Sequence, residues 1–92
     1  MKTGTYHLPK MPPVRLSPRE AFLAETDVVP FKSSAGRICA EVITPYPPGI
    51  PVISPGEEIT KEIIDYLNLE LKAGVRMQGP FDTQLRRIRV VR

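Results

Sequence analysis

The hydrophobic patterning of this chain predicts an α+β fold: a small single domain of about two helices and four short strands, with an extended proline-rich N-terminal arm. Three observations carry the prediction. Residues 60–73 hold one apolar stripe at helical spacing. Residues 37–44 and 85–91 alternate apolar and polar side chains, as half-buried strands do. All 11 prolines of the 92 residues fall outside those three segments. That is roughly 12% proline against a typical ~5%, so the connections are unusually stiff.

In chain order, residues 1–16 are polar and basic, and Pro9, Pro12 and Pro13 break them. An extended arm or linker is expected there, with residues 17–92 as the folded domain. Ser17-Pro18-Arg19-Glu20 has a capping serine, a proline at the first helical position and a glutamate three residues after the cap. That capping box opens a helix of about two turns, which fades at Thr26-Asp27. Val28-Val29-Pro30-Phe31 reads as extended, and Pro30 argues against a central ladder position. Lys32 to Ala35 can form one helical turn, closed by Gly36 in a left-handed conformation. In the strand over 37–44, Ile38, Ala40, Val42 and Thr44 share one face and Arg37, Cys39, Glu41 and Ile43 the other. The next seven residues, Pro45-Tyr46-Pro47-Pro48-Gly49-Ile50-Pro51, include four prolines and make a pre-stiffened loop. Val52-Ile53-Ser54 is a short strand and Pro55-Gly56 a turn.

Thr60 caps the main helix, and Ile59 and Ile64 are placed as a hydrophobic staple. Ile63, Leu67 and Leu71 form its stripe, with Ile64 beside them. Glu57, Glu58 and Glu62 favour its start, Lys72 its end, and Gly74 stops it. Val75–Gln78 is a short strand, Gly79-Pro80 with Asp82 a turn, and 85–91 the last strand, with Ile88 and Val90 opposite Arg87 and Arg89.

The net charge of +3 is unevenly spread. Lys2, Lys10 and Arg15 make the first 16 residues purely basic, and Arg86, Arg87, Arg89 and Arg92 do the same for the last eight. No aromatic residue is interleaved with those arginines, which fits a charged edge strand better than a nucleic-acid surface. Cys39 is the sole cysteine, so no intrachain disulfide and no cysteine-based zinc site is expected. The lone thiol, the missing signal-peptide pattern and the missing 20-residue apolar run lead to the expectation of a cytoplasmic protein without a membrane partner.

Chemistry of the chain's own is not legible. His7 is the only histidine and lies in the arm, so a serine–histidine arrangement has nothing firm to build on. Glu57 and Glu58 are adjacent, and neighbours in a helix do not face each other. Gly56, Gly74 and Gly79 lack phosphate-loop spacing. The size excludes a complete dinucleotide- or PLP-binding fold, which needs about 150 residues or more. No catalytic, cofactor-binding or metal-binding residue is assigned, and the residues alone describe a structural or interaction module.

Four stretches resemble a known family: Ser17-Pro18-Arg19-Glu20-Ala21-Phe22, Ala35-Gly36-Arg37-Ile38-Cys39-Ala40-Glu41, the Pro45–Pro51 loop, and Pro55-Gly56-Glu57. Together they are similar to the C-terminal domain of the Orn/Lys/Arg decarboxylases, PLP-dependent enzymes of aminotransferase-type fold. The resemblance runs over about residues 8–91. The family's Ser-x-His-Lys motif, which holds the PLP lysine, is absent here, so no catalytic residue carries over. The resemblance implies a complete enzyme, PLP-loaded and homo-oligomeric, that decarboxylates arginine, lysine or ornithine toward polyamine precursors. It implies that this piece packs on the large PLP-binding domain near the active-site entrance or dimer interface. Pro45, Tyr46, Pro47, Pro48, Gly49, Ile50, Pro51, Pro55, Gly56 and Glu57 are the candidates for that contact. The rival readings are a free-standing interaction or regulatory module of the same fold, and a nucleic-acid binder using the Arg86–Arg92 end.

Overall fold

The computed structural model describes residues 9–47 and 49–92; the expectations for residues 1–8, His7 among them, and for Pro48 lie outside the described residues. The elements are α1 (Pro18–Leu23), β1 (Thr26–Pro30), a 3-10 turn (Phe31–Ser33), β2 (Thr44–Tyr46), α2 (Lys61–Lys72), β3 (Arg76–Gln78) and β4 (Arg87–Val91). The α+β reading holds, with two helices and four strands among the described residues, the strands in two antiparallel pairs, β1 with β4 and β2 with β3.

Local chemistry sets the helix ends. Ser17 Oγ accepts the Glu20 N–H and Glu20 Oε1 accepts the Ser17 N–H, so the capping box is complete. Thr60 Oγ1 accepts the Ile63 N–H at the start of α2. Ile59 and Ile64 are both buried, as a staple requires. Gly36 and Gly74 close their turns at φ 88° and 86°, a region closed to most side chains.

Backbone hydrogen bonds widen the β1–β4 pair well beyond its two strands. β4 is not the charged edge strand expected from its arginines, because along the edge away from β1 the Ala40 N–H donates to Arg89 O (3.0 Å) and the Val91 N–H to Ile38 O (2.8 Å). On the other edge of the same segment, the Cys39 N–H donates to Glu57 O (2.8 Å), the Gly56 N–H to Cys39 O (2.9 Å) and the Ile59 N–H to Arg37 O (2.8 Å). Outside these, the Glu58 N–H donates to Pro13 O (2.8 Å), and the Arg15 and Leu16 N–H groups both donate to Gly56 O (2.9 and 3.0 Å). The lateral order is therefore 26–30, 87–91, 37–40, 56–59, 13–16, with antiparallel bridges at Cys39–Val90, Ile38–Glu58 and Val14–Glu57. Pro30 lies in the edge strand β1, as its missing N–H requires.

One buried cluster stands on this framework. Cys39, Ile59, Ile88 and Val90 join Ile63, Ile64 and Leu67 of α2, and Phe31, Ile43, Ile53, Met77 and Leu85 complete it. The odd-numbered face of the 37–44 segment is the inner one, since Cys39, Glu41 and Ile43 are all buried.

The alternation over 37–44 predicts one continuous strand, and the structure divides it. Residues 38 and 39 hold single bridges, Ile43 bridges Ile53, and β2 begins only at Thr44. Glu41 is the physical reason. Its side chain is buried and reaches across two segments, Oε1 accepting the Phe81 N–H (2.6 Å) and Oε2 the Arg89 N–H (2.7 Å). The Cys39 thiol donates to Glu41 O (3.0 Å) beside it. Two further boundaries move for local reasons. Val52–Ser54 reduces to the single bridge at Ile53, bonded through the Ile43 and Val52 N–H groups. The last strand starts at Arg87 rather than 85, because Leu85 is left-handed at φ 52° and Asp82 Oδ2 accepts the Arg86 and Arg87 N–H groups.

Three outcomes follow from this framework. Glu41→Ala leaves two amide donors without their carboxylate and is expected to lower the unfolding free energy by about 2–4 kcal/mol, read from urea denaturation; Glu41→Gln, which keeps one acceptor, should fall between it and the parent. A Cβ on Gly56, at φ 94°, would stand 2.2 Å from Leu16 O. Gly56→Ala should therefore cost about 1–3 kcal/mol from strain alone and speed trypsin cleavage after Arg15. Burial pushes the Cys39 thiol from 9.0 up to about 12, helped by the Glu41 and Glu57 charges and opposed by a backbone hydrogen bond at Glu41. The raised value favours the folded thiol form at lower pH, so stability should be full below pH 9.0 and decline through the window up to about 12, which a pH series of thermal melts would record.

Candidate functional site

The proline loop begins inside the fold. Pro45 is buried and faces Met77 across the β2–β3 pair, while Tyr46, opposite Arg76, is about half exposed. The Tyr46–Pro47 bond is cis, and the Gly49 N–H returns to Pro45 O (2.8 Å) to close the turn. Gly49 sits at φ 86° so close under the Tyr46 ring that a Cβ would lie 2.8 Å from Cε1. Pro47 is exposed at the tip. Ile50 projects outward at 61% exposure, and Pro51 leads back to the Ile53 bridge.

The arm lies opposite. Its residues 13–16 are the outermost ribbon, and the Arg15 guanidinium (Nε) donates to Glu58 Oε1 at 2.7 Å. Between arm and loop runs a groove of about 460 Å³. Pro9, Lys10, Met11 and Pro12 form one wall; Pro45, Ile50, Pro51 and Val52 form the other; Ser54, Glu57 and Tyr66 lie along it. Glu57 Oε1 already accepts the Ser54 N–H (2.7 Å), so this carboxylate is engaged within the fold.

Of the predicted contact residues, Pro45, Ile50, Pro51 and Glu57 meet in this groove. Tyr46, Pro47, Gly49, Pro55 and Gly56 do not line it; Gly56 instead carries the arm, whose carbonyl at Leu16 crosses where a side chain would be. Sequence reasoning missed Met11 and Pro12 as a wall and Tyr66 as a contributor from α2. The proline spacing at 9, 12 and 13 marked an extended segment, yet it carried no information on where that segment would lie.

The arginine-rich end is largely engaged within the fold. Arg92 pairs with Glu25 (2.9 Å) and Asp27 (3.0 Å), tying the chain end to β1. Arg89 stacks over the Phe81 ring at 5.1 Å. Partial desolvation raises the Asp82 carboxyl, but the Gln84, Arg87 and Arg86 N–H donors with the Arg86 charge outweigh it and hold it below the usual carboxylate range. Among the described residues no group of three His, Cys, Asp or Glu side chains is placed to hold a metal ion. What the groove offers is apolar contact.

Comparison with known proteins accounts for nearly the whole chain. Residues 3–89 match the family of Orn/Lys/Arg decarboxylase C-terminal domains. The arginine decarboxylase of Bacillus anthracis is 47% identical over 85 residues, covering 92% of this chain and 17% of that protein. That of Bacillus subtilis is 49% identical over 85 residues, with the same shares. Among solved structures, the constitutive lysine decarboxylase of Escherichia coli superposes with a TM-score of 0.74 at 29% identity, over 92% of this chain and 14% of that one. The lysine decarboxylase LdcF of Francisella novicida gives 0.70 at 33% identity, over 94% and 14%. This chain therefore spans about 17% of the length of the arginine decarboxylases it matches. With the family matched from residue 3 to residue 89 and the fold shared with solved lysine decarboxylases, the chain belongs to the Orn/Lys/Arg decarboxylases, as their C-terminal domain.

Proposed function

We propose that this chain is the non-catalytic C-terminal part of a cytoplasmic, PLP-dependent decarboxylase of arginine, lysine or ornithine, feeding polyamine synthesis or basic amino-acid breakdown. It packs on the large PLP-binding domain, in the same or a companion chain, through the proline loop, near the active-site entrance or the dimer interface of a homo-oligomer. The observation that carries the reading is a family match over residues 3–89 that spans only 17% of the matched arginine decarboxylases. The catalytic majority of such a protein lies outside this segment.

The described residues do not fit PLP itself. A lysine that forms a Schiff base works desolvated, at a lowered pKa. The lysines among the described residues, Lys10, Lys32, Lys61 and Lys72, are all exposed, and no Ser-x-His-Lys run occurs in the sequence. No chemical step is assigned to this chain. Among the described residues, no helix is long and apolar enough to cross a membrane, and the buried lone thiol suits a reducing compartment.

The 92-residue chain with added PLP should release no amine from arginine, lysine or ornithine, and measurable turnover would overturn the placement of the chemistry elsewhere. Replacing the matching segment of the Bacillus subtilis arginine decarboxylase by this chain should give a folded, active chimera; a chimera that is inactive and aggregated would overturn the reading.

A further inference from the structure

We propose that the groove between the arm and the proline loop is a socket for an aliphatic or aromatic side chain of the companion catalytic domain, with the seated arm as one of its walls. This rests on the proposed function and names the contact through which it would operate.

The walls are hydrocarbon on both sides, Pro9, Met11 and Pro12 facing Pro45, Ile50 and Pro51. Met11 is 88% and Ile50 61% exposed, so the two facing walls each carry a large apolar side chain in water. Glu57 accepts the Ser54 N–H on Oε1, which ties its side chain into the fold beside these apolar walls. Proline walls lose little entropy on docking, so a socket built from them is pre-shaped. Phe22 and Leu23 on α1 are also exposed, but they do not line this groove. The occupant is identified by the chain path. A domain described as C-terminal leaves the rest of each relative on its N-terminal side, and the arm that forms one wall is the segment leading there. The arm's position is fixed by the bonds from Arg15 and Leu16 to Gly56 O and by the Arg15–Glu58 pair, so the socket exists only while the arm is seated.

The test uses the Bacillus subtilis chimera and the free chain, each carrying Met11→Asp or Ile50→Asp, with Leu69→Asp on the exposed face of α2 as control. In the free chain all three should leave the thermal midpoint within about 3 °C of the parent, since they change surface positions. In the chimera, Met11→Asp and Ile50→Asp should each lower decarboxylase activity about tenfold and raise the rate of trypsin cleavage after Arg15 by a similar factor, while Leu69→Asp does neither. An unmodified chimera that fails to assemble overturns the proposed function itself. An active chimera indifferent to Met11→Asp and Ile50→Asp overturns the socket alone. So does an equal loss with Leu69→Asp. A free chain that dimerises in sedimentation and is made monomeric by Ile50→Asp, with the chimera unaffected, assigns the groove to a second copy and likewise overturns the proposal.

Discussion

Residues 37–40 are hydrogen-bonded along both edges, to β4 on one side and to residues 56–59 on the other. A segment held that way has no room to slip. A shift by one residue would turn Cys39 to the outside and bring Ile38 inward, exchanging the two faces at once. Glu41 fixes where the segment ends. Its two carboxylate oxygens stand apart on a side chain, so one accepts from Phe81 and the other from Arg89. That clasp lets the chain leave the sheet toward Ile43 and β2 without stranding the amides it abandons. The burial of Glu41 is tolerated because both of its oxygens are bonded.

From that centre the order of the ribbons places the groove. Segment 56–59 lies beside 37–40, and the arm lies beside 56–59 because Gly56 has no side chain to hold it off. The opposite wall is set by Pro45, buried against Met77 in the β2–β3 pair. Neither wall belongs to α2, yet α2 carries Tyr66 into the space between them. A face assembled from three separate stretches of chain is sensitive to the fold as a whole, which suits a domain whose role is to present a surface rather than to react.

Much of this was legible from residue patterns. The capping box at Ser17–Glu20 and the stripe of Ile63, Ile64 and Leu67 are local signals, and local signals suffice when a helix is settled by its own turns. The family was legible for a related reason, since its Pro45–Pro51 and Pro55–Glu57 stretches are contiguous. Glu41 was not. An acidic residue in an alternating run reads as one more polar position, and its two partners lie 40 and 48 residues away. The arm's seat was hidden in the same way, because a proline-rich stretch reveals its extended shape and nothing of its neighbour. Within the predicted loop, spacing could not separate Ile50, which lines the groove, from Pro47, which sits at the tip.

The lateral order of the ribbons also governs when the sheet can form. β1 is complete by residue 30, but its neighbour β4 begins at residue 87. The centre at 37–40 has one neighbour at 56–59 and the other again in β4. During synthesis the first half of the chain therefore emerges without a lasting partner, and the last few residues close two seams at once. Long-range pairings of this kind slow folding, because the intervening loop must be ordered before any bond forms. A chain released only a few residues short would lose the strand that joins its two halves, and with Ile88 and Val90 the packing surface of α2.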